Sequence, residues 1–374
     1  MKFTVSSAAL NSQLQNLAKI ISSKNSLAIL DCFLFEVNNG QLTITAGDGE
    51  NMMKAVISLD ESDADGKFVI PHRTILDAVK ELPEQPLVFN IDLSTFAINV
   101  TYMNGSYNFT AQSGEEYPSF PALEGETSVI TINETVLAGN LNRTFFAVAA
   151  DELRPVMNGV FFDQKEDNLT LVASDGHKLV RDRNFNIKSP APCSFILPKK
   201  PASLLKGILG KQDADVVIRF NVNKAEIGYS GGVIACRLIE GKFPNYEAVI
   251  PQNNPNNVTI NRKALLSAMR RVLPFASEGS ELVRFNLTAG QLELQSEDID
   301  FATSAKESIS CEYAGSNMSI GFKGSSIMEI LNNLTSEEVT IQLADPSRAG
   351  VIVPAEKNDD ESVLMLLMPM LLND

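Results

Sequence analysis

The 374 residues are 44% hydrophobic and 21% charged with a formal net charge of −15, so the chain suits two or three soluble domains and in bulk repels nucleic acid. Four scattered cysteines without a CxxC, and two histidines, point to reduced thiols in the cytosol and exclude a disulfide scaffold or a His/Cys metal centre. Neither a GxxxxGKS/T nor a GxGxxG phosphate loop is present, so no cofactor is expected and any nucleotide energy must come from a partner.

The chain opens on Met1-Lys-Phe-Thr-Val5, which lacks an apolar stretch of the signal-peptide kind. A short β-type stretch ending at Thr4-Val5 runs into Leu10, Leu14, Leu17, Ile20 and Ile21 at helical spacing, predicting a helix over 6–24 with Ser6 as its N-cap. Leu30 to Val37 and Gln41 to Thr45 read as a hairpin through Asn38-Asn39-Gly40. Phe68-Val-Ile-Pro71 leads into a second helix over 72–82, and Leu87 to Ile91 forms a closing strand. After the linker Glu116 to Pro121 the same landmarks return: Thr131-Ile132 with Leu137 and Leu141, Leu169-Thr-Leu171 with Asp175, Phe195-Ile-Leu-Pro198 with Leu209. After the Pro-rich stretch Phe243 to Pro255 they return again: Thr259-Ile260 with Leu265 and Met269, Leu292-Glu-Leu294 with Asp298, Ile320-Gly-Phe-Lys323 with Leu334.

The first repeat maps onto the second by 127 at every landmark (4 to 131, 42 to 169, 71 to 198), the second onto the third by 128, 123 and 125. A period that long is domain-sized. The expected fold is therefore α+β: three tandem domains over 1–122, 128–250 and 256–374, each with two helices on one face of antiparallel sheet. The later helices fall at 133–150, 199–211, 261–272 and 323–334, with Asn133 and Asn261 placed as N-caps. The last apolar run, Val363 to Leu372, holds a proline and is too short for a bilayer, so a cytoplasmic, membrane-free protein is expected.

Charge is not spread evenly. The six predicted helices carry net charges of +2, 0, 0, +4, +4 and 0, so they total +10 and leave −25 on the remaining residues. Their bases include Lys24, Arg73, Lys80, Lys199, Lys200, Lys206, Arg270 and Arg271. Solvated faces normally mix signs. A basic helix face poor in aromatics suits the phosphates of duplex DNA, without regard to sequence, better than single-strand stacking. Two other readings stay open at this level. Asp175, His177 and a carboxylate such as Asp151 could form a hydrolytic site, although Asp48 and Asp298 recur at the position of Asp175 while His177 does not. The chain could also be a repeat scaffold that never meets DNA. Taken alone, Met368-Pro-Met370 reads as a buried C-terminal strand.

Four segments in combination change that balance: Met1-Lys-Phe-Thr-Val5, Ala173-Ser-Asp-Gly-His-Lys-Leu179, Gly241-Lys-Phe-Pro-Asn-Tyr246 and Met368-Pro-Met370. Together they resemble the bacterial DNA polymerase III beta subunit family, the sliding clamps, from the first residue almost to the last. The resemblance implies a head-to-tail homodimer, a ring of six domains around duplex DNA with twelve helices lining the hole and no chemistry of its own. Lys24, Lys199 and Lys200 match the family's DNA-contacting bases, with lysine at 24 where better-known members carry arginine.

The resemblance also implies a pocket for short peptides of the polymerase alpha subunit, the clamp-loader ATPase, other polymerases and repair proteins. Its matching positions are Arg154, Met157, Ser174, Gly176, His177, Lys178, Leu179, Pro244, Val249, Leu366, Leu367, Met368, Pro369 and Met370. Methionine and leucine make a deformable groove suited to several ligands. Val156 and Ala248 replace a tyrosine and an arginine there, so a more apolar pocket is expected, and the tail ends Met370-Leu-Leu-Asn-Asp374 rather than on a final leucine. The implied dimer seam involves Phe109 and Pro274-Phe275, with an expected apolar contact reduced to Ala111.

Overall fold

The structure, a computed structural model, describes every residue except Ser23, Pro121, Glu152, Asn373 and Asp374. The last residue of the first predicted linker and the end of the tail therefore lie outside the described residues. Six α-helices occur among the described residues: α1 Ser7–Ala18, α2 His72–Val79, α3 Glu134–Phe145, α4 Lys199–Ile208, α5 Arg262–Val272 and α6 Gly324–Asn332. Three of their N-caps are the ones the sequence marks. Ser6 Oγ accepts from the Ala9 amide at 3.1 Å, Asn133 Oδ1 from Thr135 at 2.9 Å and Asn261 Oδ1 from Ala264 at 3.0 Å.

The helix ends are shorter than predicted. Past Ala18 the bonds tighten to i→i−3, from Lys19 to Asn16 and Ile20 to Leu17, so Ile20 stays buried though the α-helix has ended. Gly210, at φ +87°, follows α4 in the left-handed conformation that closes helices and donates its amide to buried Glu134 at 3.1 Å. Lys24, Lys80, Lys211 and Lys323 thus fall outside the helices, and the helical charge drops to +6, all of it on α4 and α5 net of one acid on α6.

Four antiparallel sheets occur among the described residues, with a break in sequence order that explains how the chain divides. A five-stranded sheet runs Glu61–Ser62, Lys2–Ser6, Pro86–Asp92, Ala97–Tyr102, Gly105–Thr110. In the nine-stranded sheet, Asn51–Ser58 of the first repeat pairs with Gly232–Arg237 of the second, Asn51 opposite Cys236 and Ala55 opposite Gly232. In the eight-stranded sheet, Lys178–Asn184 of the second repeat pairs with Glu361–Leu367 of the third, Lys178 opposite Leu367 and Asn184 opposite Glu361. The fourth sheet is Thr303–Ser310, Gln291–Asp298, Leu282–Thr288, Met318–Lys323. Because ladders cross the repeat boundaries, the chain forms two compact units, Met1–Ala138 with Ser203–Leu238 and Gly139–Ala202 with Ile239–Asp374. Each unit takes half of the second repeat.

Packing repeats with the strands. Phe35 faces Phe68 across a strand pair and Phe162 faces Phe195, with ring centroids 5.4 and 4.6 Å apart; in the third repeat Phe285 faces Ile320. Helix α1 buries Leu10, Leu14 and Leu17 on one stripe, each contributing about 1.5–3 kcal/mol of transfer free energy.

Candidate functional site

The tail and the Ser-Asp-Gly-His turn expected to form the apolar groove lie within the second unit, beside a buried cluster of Val172, Leu179, Ile196, Phe243, Tyr246, Ile250, Ala349 and Leu366, with Val156, Phe161, Ile239 and Leu364 packed on its margin. Leu179 and Leu366 are opposite each other across the strand pair. The chain segment after the eight-stranded sheet's neighbour supplies the rest: Phe243 stacks on Phe161 at 4.8 Å, and the Tyr246 hydroxyl donates to Asp163 at 2.6 Å. Of the predicted pocket residues, His177 and Pro244 are exposed, as are Val249 at 57% and Met368 at 42%. Of the other predicted pocket residues, Met157 and Ser174 are buried and Pro369 half-buried. Leu367 faces the opposite side of its strand from Leu366, as a two-residue period requires. Met370 makes a backbone bridge, its amide donating to the Gly321 carbonyl at 2.8 Å.

The rim is held by a polar turn. Asp175 Oδ1 accepts from the His177 and Lys178 amides at 2.9 and 2.8 Å, and Ser174 Oγ donates to the Lys178 carbonyl at 2.9 Å. Burial pushes the Asp175 carboxyl up, but those amides and the Lys178 ammonium outweigh it and leave it below the usual carboxylate range. Gly176 sits at φ +90°, and a Cβ there would lie 2.4 Å from Arg154, whose guanidinium donates to the Asp175 carbonyl at 3.0 Å. Lys178 bridges Asp175 and Glu329 at 3.3 and 2.8 Å.

The same turn recurs in all three repeats. Asp48 accepts from the Glu50 and Asn51 amides, and Asp298 from those of Asp300 and Phe301. Asp175 therefore belongs to the fold, and Asp151 pairs with Arg154 at 3.7 Å rather than with His177. Among the described residues no three His, Cys, Asp or Glu side chains are gathered as a metal site would need. The constellation considered for hydrolysis is a hairpin turn.

The basic residues divide by environment. Lys24, Arg73, Lys199 and Arg270 are exposed, Lys200 and Lys206 half-buried, and Lys80 pairs with Asp77 at 2.8 Å. Arg262 is structural, its guanidinium capping the Leu331 and Ser336 carbonyls at the end of α6. Arg271 is held by Glu307, its Nε 2.8 Å from Oε2. Lys199 and Lys200 open α4 in the first turn, where the helix dipole disfavours cations. An anionic partner would meet the lysines and the positive helix end together. Of the seam residues, Phe109 is half-buried and Pro274 and Phe275 exposed, while Ala111 is 3% exposed and spends its amide on Phe96 within its own unit.

Three family models cover nearly the whole chain: the N-terminal domain of the DNA polymerase III beta subunit over residues 1–121, its central domain over 131–245 and its C-terminal domain over 247–371. The chain belongs to the DNA polymerase III beta subunit family. It is similar to the beta sliding clamp of Pseudomonas putida, 29% identical over 373 residues that cover 99% of this chain and 100% of that one. It is also similar to the Vibrio cholerae clamp, 25% identical over 370 residues, with 99% and 100% covered. Its fold matches the Pseudomonas aeruginosa clamp bound to griselimycin with a TM-score of 0.93, and the Thermotoga maritima beta subunit with 0.90. Each is 26% identical and covered, like this chain, over 100% of its length.

Within this beta subunit, Val156 fits a close approach of backbone. Gly241, at φ +117°, would place a Cβ 2.9 Å from the valine's Cγ1. Sequence reasoning missed the aromatic members of the buried cluster, Phe161, Phe243 and Tyr246. Its signal was the recurrence of Tyr117-Pro-Ser-Phe120 as Phe243-Pro-Asn-Tyr246, and Tyr117 and Phe120 fill the matching cluster of the first repeat beside Leu34 and Met52.

Proposed function

We propose that this beta subunit works as a ring of two chains and six domains, with 1–122, 128–250 and 256–374 as the domains of each chain. It encircles duplex DNA and tethers the replicative polymerase, performing no chemistry itself. The observation that carries the reading is the family match to all three domains in order. The folded turn at Asp175 supports a non-catalytic role, because the one constellation with hydrolytic residue types is used structurally in every repeat.

DNA is met by Lys24, Arg73, Lys80, Lys199, Lys200, Lys206, Arg270 and Arg271, which contact phosphates and no bases, so that the ring can slide. The acidic remainder of the chain keeps DNA off other surfaces. The groove under Met368, Val249, Pro244 and His177 receives short peptides of the polymerase alpha subunit, the clamp loader, other polymerases and repair proteins. An apolar floor with polar turns at its rim suits one or two anchoring side chains.

The test uses the purified protein loaded on a DNA circle. It is expected to remain on the closed circle and to leave within minutes once the circle is cut, and equal loss from both substrates would overturn the reading. In parallel, an immobilised Gln-x-x-Leu-Phe peptide should capture the protein and release it when Met368 is replaced.

A further inference from the structure

The segment that carries Pro244 and Val249 is tied to its sheet by charge as well as by apolar packing. Glu247 Oε1 accepts from the Arg183 guanidinium at 2.5 Å and Oε2 from that of Arg181 at 3.4 Å, while the Lys165 ammonium lies 4.0 Å from Oε1. Three cations thus converge on one carboxylate. The strand Lys178–Asn184 puts both arginines on the face that carries Leu179, because residues two apart on a strand share a face. In the row across the sheet through Arg183 stand Asp163, Thr170 and Ser362. Arg183 Nε donates to Thr170 at 3.2 Å and Arg181 to Ser362 at 3.4 Å, while Asp163 takes the Tyr246 hydroxyl and the Lys165 ammonium at 3.5 Å. The charges therefore border the apolar cluster, and Tyr246 belongs to both.

The arginines are largely withdrawn from solvent. Their side chains are 13% and 20% exposed, and Arg181 Nε is buried with no hydrogen-bond partner. Burial, then the charge of Arg183, hold the Arg181 guanidinium below its ordinary range against the pull of Glu247. Without the Glu247 carboxylate, two desolvated guanidiniums would be left side by side, since Asp163 is engaged by Tyr246 and Lys165. That carboxylate comes from outside the sheet, on the single 3₁₀ turn Tyr246–Val249, so neutralising the arginines fixes the turn.

The first repeat shows that the fold itself does without this tie. Its corresponding segment seats Tyr117 and Phe120 on a cluster that includes Leu34, Met52 and Val69. Counting from the pairs Leu171 with Asp182 and Ile44 with Ala55, the positions of Arg181 and Arg183 hold Lys54 and Val56. The Lys54 ammonium sits 4.4 Å from the Phe120 ring centre, Val56 is 50% exposed, and the residue after Phe120 in the sequence is a proline, which offers no carboxylate. Apolar packing and one cation–π contact are enough to seat that segment. Of these two segments, only the one with proposed peptide contacts carries the ionic tie.

We propose that Glu247 is a positioning residue of the peptide groove: its hold on Arg181 and Arg183 sets Pro244 and Val249 in their receptive arrangement before a peptide arrives. This rests on the peptide-groove reading above and says what keeps that wall in shape. Phe243 and Ile250 anchor the ends of the segment in the cluster, and Glu247 fixes the turn between them. Pro244 and Val249 are both exposed, so burial of their own side chains holds neither. A wall ordered in advance lowers the ordering cost that binding must meet.

The test compares wild type, Glu247→Gln and Met368→Ala in the full-length protein. Glu247→Gln keeps the side chain's shape and removes its charge. Titration calorimetry reads affinity for a Gln-x-x-Leu-Phe peptide with uncharged residues at x, and hydrogen exchange over 240–250 without peptide reads the order of the wall. Glu247→Gln should weaken the peptide about fivefold and speed that exchange. Met368→Ala should weaken the peptide and leave the exchange unchanged, which separates contact from positioning. Glu247→Arg combined with Arg183→Glu rebuilds an ion pair and should recover most of what Glu247→Arg alone loses in affinity and protection. Wild-type affinity in Glu247→Gln, whatever its melting temperature, would overturn the proposal and leave the groove standing, as would a combined variant no better than Glu247→Arg. Weaker binding with unchanged exchange would make Glu247 a peptide contact and overturn positioning. A wild-type protein that does not bind the peptide would overturn the groove itself, and the role of Glu247 with it.

Discussion

The seam between the second and third repeats turns on Arg143. Its guanidinium holds Asp182, which is 0% exposed, at 2.7 Å and also binds Glu361 on the strand from the third repeat, while Asn140 donates to Asp182 at 2.9 Å. Replacing Arg143 by asparagine leaves two carboxylates side by side with one amide between them. Breaking such a buried pair from one side costs about 3–5 kcal/mol; because Arg143 and Glu361 keep some solvent contact, the lower end, about 3 kcal/mol, applies here. That corresponds to roughly a hundredfold faster opening of the seam. Hydrogen-exchange mass spectrometry on peptides covering 178–184 and 361–367 reads it directly, with 51–58 and 232–237 in the other unit as the control. The first repeat carries the neutral solution to the same geometry, with Asn16, Ala55 and Ser230 at the equivalent positions. The triple change Arg143→Asn, Asp182→Ala, Glu361→Ser should therefore recover most of the loss. Acidity adds a sign. Burial, then the charge of Asp182, push Glu361 up to about 7 against the pull of Arg143. A raised acid contributes stability that is present below its ordinary value and lost as pH climbs through about 7. The single variant should thus lose less at pH 5.5 than at pH 8. Acceleration below about fivefold, or a triple variant no better than the single one, would refute the clamp.

Three further outcomes follow from the site. Asp175→Ala should cost about 1–2 kcal/mol in thermal unfolding, and Asp48→Ala a similar amount, because each carboxylate holds two amides of the same turn. With the Asp175 carboxyl held below its ordinary 3.8, its contribution is present above that value and disappears as pH falls through the folded one. Met368→Ala should weaken a Gln-x-x-Leu-Phe peptide about tenfold by titration calorimetry. Lys199→Glu with Lys200→Glu should lower the slope of log affinity against log salt for DNA by about 2, the release of two counterions.

What the sequence made legible is what depends on neighbours in the chain. The three N-caps and the turns at Asp48, Asp175 and Asp298 are set within one hairpin or helix, so a fixed spacing exposes them. Helix ends were less legible because burial continues after the α-helix stops. Ile20 keeps the helical spacing from a tighter turn, and that misplaced Lys24 onto α1. The seams were not legible at all, since Lys178 and Leu367 lie far apart in sequence and nothing local in either strand names the other.

Arg271 shows how the repeats diverge. By sign alone Arg271 and Arg270 are equal, yet only the residue ten positions past the cap meets a carboxylate on the neighbouring strand, Glu307. The first repeat lacks the pair entirely, with Asn16 and Ala55 in its place, and its seam still closes in the same register. Backbone ladders and apolar faces are therefore sufficient to pair these strands, and an ion pair adds no certain stability to them. What it adds is a penalty for mispairing. A slip by one residue would carry Asp182 or Glu307 to the far face, away from its arginine, whereas Ala55 would lose nothing of the kind. The charged pair accordingly sits in the second and third repeats, Arg143 with Asp182 and Arg271 with Glu307, and the first repeat does without it.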